Sequence, residues 1–391
     1  MSLHHLAEHP RQPLLDDAFL QRLSSEMGEG AEQFDRDSAF PHANLARLRQ
    51  YGLLGLACDV RAGGGGADLA QLRRVVGAVA KGEPSTALVL CMQYLYHRRL
   101  ADNPNWPEAL KRRVIREAVE EGALINSLRV EPELGSPARG GLPQTVAKRQ
   151  ADGWILDGHK LYTTGIPGLT WLAVWARSDD PVPLIGTWLV HRDTPGIRIV
   201  ESWDHLGMRA TGSHEVIFEN VQLPLEHAVD VYPADQPPAL NAPALAEFNR
   251  GMATLLGAIY DGAARAARDW LVQWLAERTP ASLGAPLSSL PRVQEVVGQI
   301  EGLLLANRLQ LDALSSQALT SQEAGLIKVA VTENAVSVVE KALELTGNHG
   351  LSLHHPLQRH YRNVLCGRVH TPQRDSALVL AGKTAFGLVK G

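Results

Sequence analysis

Tyr162, Thr163 and Thr164 stand together at the end of the most regular stretch of the chain, WILDGHKLYTTG at residues 154–165. Three hydroxyls gathered before a glycine could serve a bound ligand as hydrogen-bond donors, although Thr and Tyr are also ordinary strand residues. Other groupings are weaker. The glycine run Gly63 to Gly66 could cradle a phosphate, but it has neither the G-x-G-x-x-G spacing nor the Lys-Ser/Thr of a P-loop, so a flexible bend between helices is expected. His354, His355 and His360 could suggest a metal site; they lack a carboxylate companion and adjoin a proline turn, so a solvated loop and no metal are expected. Neither G-x-S-x-G nor H-E-x-x-H occurs, and the hydrolase templates fail.

The elements that must position these residues follow from periodicity. Residues 154–165 alternate apolar and polar side chains, the period of a strand with one covered face, and Asp157-Gly158 predicts a hairpin turn. Similar runs succeed one another from about Ala123, with Gly, Pro and Asp between them. Helical spacing predicts helices over residues 17–34, 41–51, 68–81, 85–99 and 110–121 ahead of the strands. It returns over 245–276, 292–319, 323–345, 357–369 and 375–389, after a four-proline linker at 233–243. The order predicts an α+β chain, mostly α, with a helical domain over 1–122, a β domain over 123–232 and a second helical domain over 233–391.

Composition narrows the function. A 391-residue chain has ample core for two or three domains, and a net charge of −4 supplies no basic field for nucleic acid. Cys58, Cys91 and Cys366 are few, odd in number and far apart, which argues against a disulfide framework or a cysteine zinc site and points to the cytoplasm. No run approaches the roughly 18 apolar residues of a membrane span, and the start lacks a signal peptide's apolar core.

The domain order and several motifs resemble the acyl-CoA dehydrogenase superfamily over nearly the whole chain. RVEPELGS (residues 129–136) is similar to its Thr-Glu-Pro-x-x-Gly-Ser loop, GHKLYTTG to Gly-x-Lys-x-Trp-Ile-Thr-Asn, and LGMRATGS to Leu-Gly-x-Arg-x-Ser-x-Thr. LTGNHG sits at the family's Gly-Gly-x-Gly turn and QRHYRN at its Glu-Arg-x-x-Arg-Asp element. The resemblance implies a barrel-like β domain, a C-terminal four-helix bundle, a flavin between them, and a homodimer or homotetramer. It also implies roles: Thr164 donating to the flavin's central nitrogen, Tyr162 against the ring, and Val130 main chain with Ser136 at the ring edge or phosphates. For the cofactor's tail it implies Arg278 with Gly347, Asn348 and Gly350, which favours FAD over FMN.

A dehydrogenase of this family needs a carboxylate base raised in pKa by burial. The resemblance puts that base at Thr371 or at Asn249, neither of which can serve, and Glu247 is the nearest carboxylate. Beside Thr371 stands His370. A branch resembling dibenzothiophene monooxygenase has a histidine there and takes reduced flavin from a separate reductase, and its second histidine falls here on Gln93, with His97 one turn on. The reading favours a flavin-dependent oxidoreductase of monooxygenase-like or atypical chemistry, with His370 and Thr164 as catalytic residues. The alternatives are an acyl-CoA dehydrogenase with a relocated base, served by an electron-transfer flavoprotein, and a flavin-binding protein without catalysis. The expected substrate is an acyl-CoA or a small organic compound.

Overall fold

The computed structural model describes residues 13–101, 103–134, 141–236 and 242–389. Amphipathic stretches fold the N-terminal part into α1 (Asp17–Gly28), α2 (Ala31–Asp37), α3 (His42–Gln50), α4 (Leu69–Gly82), α5 (Pro84–Ala101) and α6 (Glu108–Glu120). The single helix expected over 17–34 is two, because Gly30 takes a left-handed conformation (φ 78°) between α1 and α2. Asp68 and Gln71 form a capping box that starts α4. The glycine run is a tightly hydrogen-bonded bend rather than a flexible one: Gly64 and Gly66 donate to the carbonyls of Asp59 and Cys58. A Cβ at Gly64 would fall 2.4 Å from the Cys58 oxygen.

The C-terminal part comprises α7 (Ala242–Glu277), α8 (Pro291–Ser316), α9 (Ser321–Thr346), α10 (Asn348–Leu351), α11 (Leu357–Leu365) and α12 (Arg374–Ala385). Helix α7 is the axis: it packs on α8, α9 and α11 within its own domain and on α4 and α5 of the other. One apolar cluster therefore runs through both helical domains and into the sheet. Burying it from water holds the layers together.

Between them lie β1 (Leu124–Leu128), β2 (Val146–Arg149), β3 (Gly153–Lys160), β4 (Leu169–Ser178), β5 (Leu184–His191), β6 (Ile197–Val200), β7 (Glu215–Pro224) and β8 (Ala228–Pro233). They form one mixed eight-stranded sheet in the order β6-β7-β3-β2-β4-β5-β8, with β1 parallel to β4. Asp157-Gly158 is no hairpin turn, since β3 runs straight through it and the chain reverses between β2 and β3, where Gln150 donates to Gly153. Asp157 instead accepts from the Asn220 N–H at 2.8 Å. Gly158 admits a neighbour: a Cβ there would lie 2.4 Å from the Thr145 side chain.

Strands β1 and β2 share one edge of β4, β1 in register as far as Val174 and β2 from Arg177. In the gap, the Trp175 carbonyl accepts from Lys160 Nζ at 2.5 Å. The same ammonium donates to Glu131 at 2.6 Å, and both side chains are buried. Glu131 also accepts from the Thr145 hydroxyl and amide and from the Gln144 amide. Burial alone would raise the carboxyl's pKa, but those hydrogen bonds, Lys160's first, outweigh it and hold Glu131 below its ordinary value. Burial pushes Lys160 down to about 8, against the pull of Glu131, so the pair is ionised at neutral pH.

Breaking one side of a buried pair strands the other charge and costs about 3–5 kcal/mol. Glu131→Gln is expected to lose that much at pH 7 in chemical denaturation. Because the folded carboxyl lies below its unfolded value, its contribution is complete above the unfolded value and fades as pH falls through the folded one. The gap between wild type and variant should therefore narrow in acid; a gap independent of pH would count against an ionised pair.

Candidate active site

The buried pair fixes where residues 129–134 meet the end of β3. Leu161 N–H donates to the Val130 carbonyl at 2.9 Å, which sets the loop's main chain beside YTTG. Ser136 lies outside the described residues. Tyr162 has a left-handed backbone (φ 54°), uncommon for a non-glycine residue, and the residue is 55% exposed. It stands 6.3 Å from Trp203 and 6.0 Å from His205, which stack on each other. Thr163 is buried and its hydroxyl has no partner among the described residues.

Thr164 opens a row of hydroxyls. Its Oγ1 shares a hydrogen bond of 3.0 Å with Ser213 Oγ, which shares one of 2.8 Å with Thr211 Oγ1, and Thr211 donates to the Met208 carbonyl. Asn126 Nδ2 donates to the Thr164 carbonyl from β1. Gly165 (φ 85°) completes the turn, donating to the Thr211 carbonyl, and a Cβ on it would press against Val89 of α5 at 3.3 Å.

The loop carrying those hydroxyls, residues 206–213, is bolted to α11. Asn363, buried, accepts from the Met208 N–H at 2.8 Å. Arg362 donates to the Leu206 carbonyl at 2.8 Å and pairs with Asp35 at 3.0 Å. Gly207 lies so close that a Cβ would fall 2.2 Å from the Arg362 oxygen. The chain then turns through residues 366–368 to His370, whose Nδ1 lies 2.5 Å from the Tyr260 hydroxyl of α7. Lys328 of α9 donates to the carbonyls of Gly367, His370 and Pro372.

Burial, with Lys328 acting the same way, pushes the His370 imidazole down to about 4. It is therefore a neutral hydrogen-bonding group at pH 7 rather than the neutral-pH proton exchanger the sequence suggests.

No carboxylate takes the base's place among the described residues. Thr371 is exposed, and Asn249 donates to Ser321 at 3.0 Å. Glu247 is exposed and held by Arg98 and Arg250. The buried acids are committed elsewhere: Glu83 accepts from the start of α5, Glu117 from Arg113 and Trp171, Asp261 from Arg265 and Asn307, and Glu131 as above. Gln93 is a structural joint, donating to the Leu54 and Ala123 carbonyls and accepting from Ile125 N–H. His97 is buried with neither ring nitrogen partnered among the described residues.

The remaining residues expected to hold cofactor form a second group. Arg278 is exposed just beyond α7, Gly347 and Asn348 are exposed at the α9–α10 turn, and Gly350 is packed where a Cβ would strike Thr346 Oγ1 at 2.2 Å. The His349 ring lies 5.3 Å from Trp274, so the turn and the end of α7 are neighbours. Trp274 is about 21 Å along α7 from Tyr260, at 1.5 Å per residue. Of the three histidines first read as a solvated loop, His360 is buried and His355 packs on Trp270. The described residues contain no group that could hold a metal ion.

Sequence reasoning passed over Lys160, Glu131, Tyr260, Lys328 and Asn363. Lys160 had a signal: it follows Trp154 and Leu156 in phase, so the alternation places it on the covered face, where a lysine needs an acid. Tyr260 and Lys328 gave none, because their partners come from distant helices.

The donor set fits an isoalloxazine ring. An exposed aromatic face and a row of hydroxyls lie beside the main chain of Val130 where the sheet joins the bundle, as a flat ring with one polar edge requires. Fold and site define a flavin-dependent oxidoreductase. Residues 10–123, 129–221 and 254–374 match the acyl-CoA dehydrogenase N-terminal, middle and C-terminal domains respectively, and the chain belongs to that family.

It is 35% identical over 366 residues to YdbM of Bacillus subtilis, whose name marks it as a provisional acyl-CoA dehydrogenase, covering 92% of this chain and 93% of that one. It is 30% identical over 403 residues to L-evernosamine nitrososynthase of a Micromonospora species, covering 94% and 88%. The structure of KijD3 in complex with FMN and dTDP-3-amino-2,3,6-trideoxy-4-keto-3-methyl-D-glucose superposes with a TM-score of 0.81 at 26% identity, covering 98% and 97%.

Two outcomes follow from this geometry. Asn363→Ala strands the Met208 N–H, at a cost of about 1–3 kcal/mol, and should weaken flavin retention in a fluorescence titration; unchanged retention would show that the loop does not depend on that bond. His370, depressed from 6.5 to about 4, is fully neutral above 6.5, and the stability linked to it declines as pH falls from 6.5 toward 4. The pH profile of turnover should show no limb near 6.5 that disappears in His370→Gln.

Proposed function

We propose that the chain uses reduced flavin and dioxygen to place an oxygen atom on a small organic substrate, rather than dehydrogenating an acyl-CoA thioester. The observation that carries this reading is the lack of a free carboxylate at the junction among the described residues: Thr371 and Asn249 stand where the resemblance puts the base, and each buried acid described is already paired. Without a base, the proton beside a thioester carbonyl stays in place. Oxygen transfer needs no such group: one atom of dioxygen would go to the substrate and the other would leave as water, with the two electrons and two protons coming from reduced flavin. When bound, the flavin provides the redox chemistry.

The chain's residues do the rest. Thr164 and the Val130 main chain would hold the ring's polar edge, Tyr162 would lie against it, and neutral His370 would offer a hydrogen bond to the reacting oxygen.

Similarity to L-evernosamine nitrososynthase and to KijD3 makes the amine of a nucleotide-linked amino sugar the first substrate to try. FMN, as in the KijD3 complex, and FAD are both carried by this fold, and Arg278, Gly347, Asn348 and Gly350 would serve an FAD tail. Exposed Leu351 and Leu353 near that second group support a homodimer or homotetramer. A separate flavin reductase and a cytoplasmic location complete the reading; no described helix is long and apolar enough to cross a membrane. Similarity to YdbM favours the second reading, an acyl-CoA dehydrogenase passing electrons to an electron-transfer flavoprotein.

The test supplies reduced flavin from a reductase, oxygen and a dTDP-linked amino sugar, and follows product by mass spectrometry. Product heavier by oxygen is expected, with turnover about 10²-fold lower in His370→Gln, the loss of one preorganised donor. Substrate loss that needs oxidised flavin and no oxygen would contradict the proposal.

A further inference from the structure

The contact between Tyr260 and His370 carries more than proximity. Tyr260 is wholly buried in α7, and among the described residues its hydroxyl has one partner, His370 Nδ1, at 2.5 Å. A buried phenol with a single partner gives its proton to that partner, because the reverse arrangement leaves the O–H unsatisfied. Nδ1 therefore accepts, and in a neutral imidazole the ring proton must sit on Nε2. Nε2 has no hydrogen-bond partner among the described residues, and His370 is half-buried, not sealed like His97 and His360.

Both halves of the contact are held still. A Cβ at Gly367 would fall 2.9 Å from the Tyr260 ring, so the absence of a side chain there lets the ring seat closely. Lys328 ties down the backbone on both sides of His370 through the carbonyls of Gly367, His370 and Pro372, at 2.7, 2.6 and 3.2 Å. The ammonium also discourages a second proton on the imidazole.

We propose that Tyr260 is a positioning residue that fixes His370 as the Nε2–H tautomer, so that the imidazole presents a hydrogen-bond donor, and not an acceptor, to the open side of the site. This rests on the reading of His370 as the group that meets the reacting oxygen, and it gives that reading a polarity. A donor can stabilise negative charge building on oxygen; an acceptor in the same place would repel it. It also separates His370 from a general base, since the nitrogen not engaged by Tyr260 already carries a proton.

The direct test is the tautomer itself, read by long-range proton–nitrogen correlation on the flavin-loaded, 15N-histidine-labelled protein, with His370 assigned from the spectrum of His370→Gln. The wild type is expected to show Nδ1 unprotonated and Nε2 protonated. Tyr260→Phe removes one oxygen and should move the two His370 nitrogen shifts toward each other as tautomers mix, while turnover falls about 10-fold, the worth of roughly 1.4 kcal/mol, with KM unchanged. A wild-type spectrum with the proton on Nδ1 overturns the proposal whatever the turnover and whether or not the variant folds. So does a Tyr260→Phe spectrum identical to wild type. An Nε2–H signal that mixes in Tyr260→Phe supports it even if His370→Gln retains full turnover, which would count against the oxygen-transfer reading alone.

Discussion

The site depends on one buried ion pair, Glu131 with Lys160, set in the gap where β1 stops and β2 begins along β4. A sheet edge left unpaired inside a protein exposes a carbonyl that must find a donor, and Lys160 supplies it to Trp175. The lysine's charge then needs an acid, and Glu131 brings the 129–134 loop with it. Thr145 and Gln144 close the carboxylate's remaining lone pairs, and Gly158 leaves room for Thr145 to reach it. Such a pair is a poor source of net stability compared with apolar residues of the same volume. Its use here is placement: loop and strand can meet in only one register, and Val130 and Leu161 meet at the end of it.

A second constraint works from the bundle. Asn363 and Arg362 grip the backbone of residues 206–208, so the loop bearing Thr211 and Ser213 is shared property of sheet and α11. The hydroxyl row and His370 thus hang from one connection, although they come from distant parts of the chain. A flavin seated against both would be gripped by two domains at once, and its polar edge and reactive face would be set independently of each other. In this family the fold admits both hydride chemistry and oxygen chemistry; what differs is the few side chains near the ring. In the reading proposed here those side chains are hydroxyls and a neutral imidazole.

Much of this was legible from the sequence. Period-two alternation marks the strands and helical spacing marks the helices on either side, because burial of one face decides both patterns. Motif order pointed to the family, and the domain matches over residues 10–123, 129–221 and 254–374 agree. Other features could not be read locally. Asp157-Gly158 carries a turn signature, yet the sheet's need for close approach by Thr145 overrode it, and Gly30 broke a helix that apolar spacing alone would have continued. The histidines at 354, 355 and 360 look alike in sequence and end in three environments, from exposed to buried, because α11 turns only one of them inward. Tyr260 meets His370 across 110 residues, and no spacing rule announces such a pair.

Whether the flavin, once in place, can take hydrogen from carbon separates oxygen transfer from dehydrogenation. Anaerobic mixing of the oxidised holoprotein with acyl-CoA thioesters of graded chain length, followed by absorbance in a stopped-flow instrument, asks that directly. An unchanged flavin spectrum across the series is the predicted result. Rapid bleaching with any one thioester would mean that a base is at work, and would return the chain to the dehydrogenases.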